Sequence, residues 1–286
     1  MAQIIDGKAL AATVRAEVAT EVQQIKAQDG VVRFAAVLVG EDPASQIYVR
    51  NKQRACEKVG IEFELHTLPA TCHFDELANL IRRLSADEKI NGILLQLPVP
   101  PAVVGDRLTE LLNLIDPRKD VDGLTFNNLG RLADGADGLI PCTAQGILYA
   151  IHSVCPDLTG KNVVMIGRSR IVGRPTSLLL TNHHATVTVC HGRTRDLAAC
   201  TRGADIIVVA TGCAHLLKAS MVKPGAIVID VGINRLPDGK LVGDVDFANV
   251  EKIATAITPV PGGIGPLTIA FLLKNIVVAY RRQHGC

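Results

Sequence analysis

Aromatic side chains are nearly missing from this chain. Tryptophan is absent, and Phe, Tyr and Trp together make up 3% of the 286 residues, while hydrophobic residues reach 48%. Aliphatic side chains must therefore fill the core. Charge of one sign is lacking as well: the formal net charge of +2 is too small to argue for nucleic acid or a membrane surface as partner. No apolar run reaches the length of a bilayer span, and the first residues, Met1 to Lys8, show no signal-peptide pattern. The eight cysteines form no C-x-x-C pair and no His cluster stands at ligand spacing, which argues against a disulfide framework and against a metal site. Repeats and low-complexity tracts are missing too. With charged residues at 20%, disorder is excluded and a sizeable core is available. A reduced, soluble, cytoplasmic enzyme of one large or two medium domains fits these absences.

What is present is organised around residues 163–175. An apolar run, Val163 to Ile166, ends in Gly167; a turn containing Arg168, Ser169 and Gly173 follows, and an apolar helical pattern begins near Ser177. Strand, glycine turn and helix in that order form the layout of a dinucleotide-binding βαβ unit. Gly167 can take unusual φ and ψ and lets a pyrophosphate approach the backbone, and free N–H groups at the next helix would receive its charge. Ser169 replaces the second glycine of the usual fingerprint, and Gly173 arrives one residue late, so a turn of another α/β protein remains the alternative. A second strand, Thr186 to Cys190, leads into His191-Gly192-Arg193-Thr194-Arg195. A site specific for NAD needs an acidic residue here. Arg193 and Arg195 instead suit a 2′-phosphate, which points to NADP.

The remaining pattern alternates. Helical periodicity over residues 8–28, a buried strand at 34–40, a helix from Asp42 to Val59 stopped by Gly60, a strand at 61–68, a helix at 74–84, a strand at 90–97 and a helix at 103–115 make an α/β first half with a parallel sheet. A Gly/Asp-rich connection spans 116–141. A linking helix at 143–154 precedes strands near 162–166, 186–190, 205–210 and 226–231. A short strand near 254–258 and an apolar helix over 267–280 close the chain. Two α/β lobes joined by helices would leave a cleft for a small ligand.

Four places carry chemistry. Tyr48 and Lys52 stand four apart on one helix face, with Cys56 extending the row; they read as an exposed pair or as site residues. Gln96 sits near the carboxyl end of an apolar strand, either satisfied in the core or facing a ligand or Lys52. In Lys119-Asp120-Val121-Asp122-Gly123, Asp-Gly either makes a turn or presents a carboxylate to adjacent N–H donors such as those of a pterin ring. The run Thr258 to Pro266 holds three glycines and three prolines in nine residues. It is a stiff, side-chain-poor loop, a hinge or a surface that flat rings can approach.

With Tyr48-Val49-Arg50-Asn51-Lys52, Leu95-Gln96-Leu97-Pro98, Asp120-Val121-Asp122-Gly123, Pro141-Cys142-Thr143, Gly167-Arg168-Ser169, Asp230-Val231-Gly232-Ile233-Asn234, Gly243-Asp244-Val245-Asp246 and Pro259 to Pro266 in order, the chain resembles the bifunctional methylenetetrahydrofolate dehydrogenase/methenyltetrahydrofolate cyclohydrolase family almost end to end. The resemblance implies NADP-linked oxidation of 5,10-methylenetetrahydrofolate, hydrolysis of the product to 10-formyltetrahydrofolate in the same cleft, and a homodimer formed through the Rossmann-like domains. It makes Lys52 the catalytic lysine and Tyr48, Gln96 and Asp122 its partners in folate binding, with Pro261, Gly262 and Gly263 also lining the substrate. Gly167, Arg168, Ser169, Gly173 and Ile233 would contact NADP. The family often has Ser at Gly192, which leaves the 2′-phosphate to Arg168 and Arg193. The expected organisation is a folate-binding catalytic domain over 1–140, a Rossmann-like NADP-binding domain over 141–266, and a C-terminal helix over 267–286 packing back on the first. A shikimate-dehydrogenase-type enzyme also puts a Lys-bearing lobe before a Rossmann lobe, but the Asp-Val-Asp-Gly and Pro-Gly-Gly-Ile-Gly-Pro runs argue against it. In short-chain dehydrogenases the Tyr-x-x-x-Lys pair follows the glycine turn, whereas here it precedes it. A non-catalytic NADP-binding scaffold would have no need of Lys52, Gln96 and Asp122 together.

Overall fold

A computed structural model describes residues 1–285; Cys286, the last residue of the expected C-terminal segment, lies outside them. In chain order the elements are β1 (Gln3–Ile4), α1 (Gly7–Lys26), β2 (Arg33–Val39), α2 (Pro43–Val59), β3 (Glu62–Leu68), α3 (Phe74–Ala86), β4 (Gly92–Leu95), α4 (Pro101–Val104), α5 (Leu108–Leu112), α6 (Phe126–Asp134) and α7 (Cys142–His152). They continue as β5 (Asn162–Ile166), α8 (Gly173–Asn182), β6 (Thr186–Cys190), α9 (Leu197–Thr201), β7 (Ile206–Val209), β8 (Ile227–Asp230), β9 (Asn234–Arg235), β10 (Leu241–Val242), α10 (Phe247–Val250), β11 (Ala256–Ile257) and α11 (Ile264–His284).

The chain divides into two compact units. One holds Thr13–Arg131, Ala136–Ile140 and the residues from Phe271 onward. Its sheet has three parallel strands in the order β3-β2-β4. The central β2 is buried along nearly its whole length because both neighbours and both faces are covered, the usual state of a parallel sheet. Ala35, Val37, Val39, Leu77, Ile81, Ile93 and Leu95 meet there, an aliphatic core as the shortage of aromatics requires. Phe34 is the large exception, fully buried and tilted against Phe63 with ring centroids 5.6 Å apart.

The other unit holds Met1–Ala12, Leu132–Gly135 and Pro141–Ala270. Its six-stranded sheet runs β1-β11-β8-β7-β5-β6, all parallel. From β5 the chain goes outward to β6, then returns to the other side of β5 for β7 and β8. That reversal makes a topological switch point at the carboxyl ends of β5 and β7.

Several expectations need correction. The first twelve residues cluster with the six-stranded unit, where Gln3 and Ile4 pair in parallel with Ala256 and Ile257. The helix expected over 103–115 is two short ones, α4 and α5, because Gly105 adopts φ +52 and ends the first. The connection 116–141 contains a helix, α6, that its Gly/Asp composition concealed. The last helix starts at Ile264, inside the glycine-proline run, where Pro266 in the first turn has no intrahelical N–H to lose. Among the described residues α11 is long and apolar enough to cross a membrane, but 56% of its most apolar window is buried inside the protein.

From Phe271 onward α11 belongs to the three-stranded unit, where Arg281 pairs with Glu21 at 3.0 Å. The buried Asn275 donates to the carbonyls of Val121 and Ile140, both at 2.8 Å. Removing its amide takes two buried hydrogen bonds from the fold, so Asn275→Ala should lower the unfolding free energy by about 2–3 kcal/mol. Urea titration should show the midpoint falling at constant slope.

Candidate functional site

Helix α2 begins and ends on strong local signals. The Asp42 carboxylate caps it by accepting from Ser45 N at 2.7 Å, Pro43 opens its first turn, and Gly60 closes it at φ +84. Along one face Tyr48 is 46% exposed, Lys52 is half-buried and Cys56 is fully buried. The row thus runs from solvent into the core. Burial pushes the Cys56 thiol up to about 12, so this cysteine anchors the helix as an apolar group.

Gln96 follows β4 directly. Its N–H continues the sheet to Val37 O at 2.8 Å. The side chain is 7% exposed and fully directed: Nε2 donates to Leu97 O at 2.6 Å, and Oε1 accepts from Lys52 Nζ at 2.9 Å. The bond to Leu97 O makes the flipped amide unfavourable, so an oxygen faces the amine. The structure therefore joins Lys52 and Gln96, 44 residues apart, at the carboxyl end of the three-stranded sheet.

The two aspartates of the Asp-Val-Asp-Gly run have separate fates. Asp120 is 1% exposed, and its carboxylate accepts from Leu124 N at 3.1 Å, Thr125 N at 2.8 Å and Asn128 Nδ2 at 2.9 Å. It holds the start of α6 and is spent on doing so. Asp122 is half-buried in the turn closed by Gly123 N to Asp120 O at 2.9 Å. Asp120 makes a parallel bridge with Ile93 of β4, so the turn bearing Asp122 leaves at the same sheet end as Gln96. Buried Lys119 secures the approach by donating to the carbonyls of Ser85 at 2.9 Å and Asp87 at 2.7 Å, and desolvation lowers its pKa.

In the six-stranded unit, Gly167 extends β5 by donating to Cys190 O at 2.9 Å and then turns at φ +122. A Cβ on Gly167 would stand 2.2 Å from Ala210 O, and one on Gly173 would stand 2.2 Å from Gly167 O. Both glycines are required by backbone contact at the switch point. The expectation of free helix N–H groups is corrected here. Ser169 Oγ accepts from Val172 N at 3.2 Å and Gly173 N at 3.3 Å, Ser169 O accepts from Arg174 N at 3.0 Å, and Pro175 has no N–H. The first donors of α8 are thus engaged within the turn. Arg168 and Arg193 are exposed. Arg193 sits in a tight loop where its N–H donates to His191 Nδ1 at 3.2 Å and Thr194 Oγ1 accepts from His191 N at 2.9 Å. A Cβ at Gly192 would meet nothing within 4 Å, so a serine would fit there.

Ile233 follows β8, is 51% exposed, and has its Cδ1 3.9 Å from where a Cβ of Gly265 would stand. In the loop before α11, the Val260–Pro261 bond is cis, Pro261 is exposed, Gly262 adopts φ +107 and Gly263 is buried. The expected site residues thus fall into two groups. Tyr48, Lys52, Gln96 and Asp122 lie in the three-stranded unit; Gly167, Arg168, Ser169, Gly173, Arg193, Ile233 and Pro261 to Gly263 lie in the six-stranded one.

Sequence reasoning missed the residues that shape the carboxyl ends of β7 and β8. Asp230 Oδ1 accepts from Gly232 N at 3.0 Å and Asp244 N at 2.9 Å, and its Oδ2 accepts from Val245 N at 2.9 Å. Asp244, 0% exposed, is linked to four donors from two other loops. The signal was present as Asp-x-Gly at 230–232 and Gly-Asp at 243–244. A Cβ on Gly232 would lie 2.2 Å from Asp244 Oδ1, and one on Gly243 would lie 1.8 Å from Asp230 Oδ2. A glycine beside each aspartate marks where the other carboxylate comes in.

Residues 5–122 match the tetrahydrofolate dehydrogenase/cyclohydrolase catalytic domain, and residues 141–284 match the NAD(P)-binding domain of the same enzymes. A bifunctional protein FolD from Moorella thermoacetica is 52% identical over 281 residues, covering 98% of this chain and 99% of that protein. The crystal structure of a bifunctional methylenetetrahydrofolate dehydrogenase/cyclohydrolase from Campylobacter jejuni superposes with TM-score 0.95 at 46% identity, over 99% of this chain and 100% of that one. The Trypanosoma brucei dehydrogenase-cyclohydrolase, complexed with NADP cofactor and inhibitor, superposes with TM-score 0.94 at 36% identity, over 100% of this chain and 99% of that one.

Burial pushes the Asp230 carboxyl up to about 6 from an ordinary 3.8; three backbone N–H bonds oppose the rise and the neighbouring Asp244 adds to it. A carboxyl raised in the fold favours folding most at low pH. Its contribution is complete below 3.8 and lost as pH rises through about 6. Carbon-13 NMR of the Asp230 carboxyl should titrate near 6; a midpoint at 3.8 would refute the shift.

Proposed function

The chain belongs to the tetrahydrofolate dehydrogenase/cyclohydrolase family, and from that premise we infer that it oxidises 5,10-methylenetetrahydrofolate to 5,10-methenyltetrahydrofolate with NADP and hydrolyses the product to 10-formyltetrahydrofolate. The observation that carries the reading is the 2.9 Å bond from Lys52 Nζ to the oriented Gln96 Oε1. It is the one arrangement among the expected residues that the hydrolytic step, and not dinucleotide binding, calls for.

The six-stranded unit fits NADP. Its turn at Gly167 and Gly173 carries no side chain where backbones already touch, Arg168 is exposed in that turn, and the exposed guanidinium of Arg193 follows β6, where an NAD site would need a carboxylate. We assign Gly167, Arg168, Ser169, Gly173, Arg193 and Ile233 to hold it. NADP held there would supply the hydride acceptor. Loss of hydride leaves a folate cation shared by two nitrogens, so this step asks the protein for orientation more than for acid or base.

Adding water to that cation needs proton management, which we assign to Lys52. One amine N–H is engaged by Gln96 Oε1, an acceptor only. The cationic substrate and partial burial both favour the neutral amine, whose lone pair takes a proton from the attacking water. Tyr48 packs on the substrate and shares the network. Asp122 accepts the paired N–H donors of the pterin ring. In this reading the unit containing Lys52 binds folate, the six-stranded unit binds NADP, and the protein is a cytoplasmic homodimer. Support for dimerisation through the six-stranded unit is that β6 is an outer strand on which Val189 is 42% exposed.

Lys52→Met should slow hydrolysis of methenyltetrahydrofolate by about 10²-fold or more in a folded protein. Retained hydrolysis would remove Lys52 from the mechanism. Arg193→Ala should raise the apparent KM for NADP about tenfold while leaving NAD unaffected. Equal effects on both nucleotides would show that this arginine does not read the 2′-phosphate.

A further inference from the structure

Resting on the NADP reading above, the order of the six-stranded sheet fixes how a dinucleotide crosses it. Arg193, the candidate reader of the 2′-phosphate, follows the outer strand β6, and the glycine turn follows β5. A cofactor with its adenine ribose at β6 and its pyrophosphate at β5 continues over the carboxyl ends of β7 and β8. The loops there are Thr211-Gly212 and Val231 to Asn234, the second bearing Ile233.

One buried carboxylate organises both loops. Asp244 Oδ2 accepts from Thr211 N at 2.6 Å, Thr211 Oγ1 at 2.9 Å and Gly212 N at 3.0 Å. Asp244 Oδ1 accepts from Asn234 Nδ2 at 2.9 Å, beside Ile233. The main chain of Asp244 is held in turn by Asp230 Oδ1 at 2.9 Å. The absence of a side chain at Gly232 admits the Asp244 carboxylate, since a Cβ would come within 2.2 Å of Oδ1. Four donors on a carboxylate with 0% exposure leave it no room to touch a ligand. Its influence has to pass through the loops it ties.

We propose that Asp244 is a positioning residue for the nicotinamide half of NADP, setting the loops after β7 and β8 through Thr211, Gly212 and Asn234. The four bonds to this carboxylate all come from Thr211, Gly212 and Asn234 of the six-stranded unit, and the 258–263 loop is tied to β8 by a separate bond, Asp230 N to Thr258 Oγ1 at 2.7 Å. Loss of the Asp244 carboxylate therefore acts on the cofactor and spares the hydrolytic step.

Asp244→Asn places an amide N–H₂ among these N–H donors. Calorimetry with NADP alone should show Kd weakened about tenfold or more, while hydrolysis of methenyltetrahydrofolate assayed without NADP stays within about twofold of wild type. Thr211→Val and Asn234→Ala each remove one donor and should each weaken NADP about threefold; they decide the matter if Asp244→Asn does not fold. Unchanged NADP affinity in the folded variants would overturn the proposal, and so would a parallel loss of NADP affinity and hydrolysis, which marks a general structural role. If the wild-type protein turned over neither folate, the functional reading would fail, yet the calorimetric comparison would still judge Asp244.

Discussion

Buried carboxylates receiving backbone N–H groups govern the functional edges of this protein. Parallel strands deliver the loops that leave them to one end, where peptide groups lose the pairing the sheet supplied. Short aspartates meet that need because a carboxylate accepts several N–H bonds at once, and charge makes each of them stronger. Asp120 does so before α6, and Asp230 and Asp244 do so beyond β7 and β8. Each stands beside a less buried neighbour, Asp122 after Asp120 and Ile233 after Asp230. The motif aspartates that look most reactive in the sequence are largely the ones already consumed.

The same economy appears at the glycine turn. Ser169 and the turn's own carbonyl satisfy the first donors of α8, so the phosphate site relies less on helix N–H groups than a glycine fingerprint implies. Two exposed guanidinium groups, those of Arg168 and Arg193, stand on the loops after β5 and β6. At Lys52 the logic is reversed. The amide of Gln96 is locked by its own neighbour so that an oxygen meets the amine, and a charged donor is positioned by a neutral acceptor.

Much of the architecture was legible because its causes are local. Asp42-Pro43 and Gly60 delimit α2, and the aliphatic run of β2 announces a strand covered on both faces. Gln96 at the end of such a strand was recognisable as a residue needing a partner. Failures came where the cause was distant or mixed. Gln3 and Ile4 form a strand only because β11 offers an edge more than 250 residues later. Helix α6 rests on a carboxylate cap from Asp120 in a segment whose composition reads as loop.

Periodicity, caps and glycine spacing determined by themselves that this is an α/β protein with a dinucleotide turn, and the joint order of its motifs placed it in a folate enzyme family. Those properties depend on neighbours within a few residues, or on residue identity alone. Tertiary structure decided that Asp120 is consumed at the start of α6, that Lys52 meets Gln96, and that Asp244 ties two segments together. Such outcomes depend on which buried donors and acceptors meet across long sequence separations, and that is settled only when the strands have found their order in the sheet.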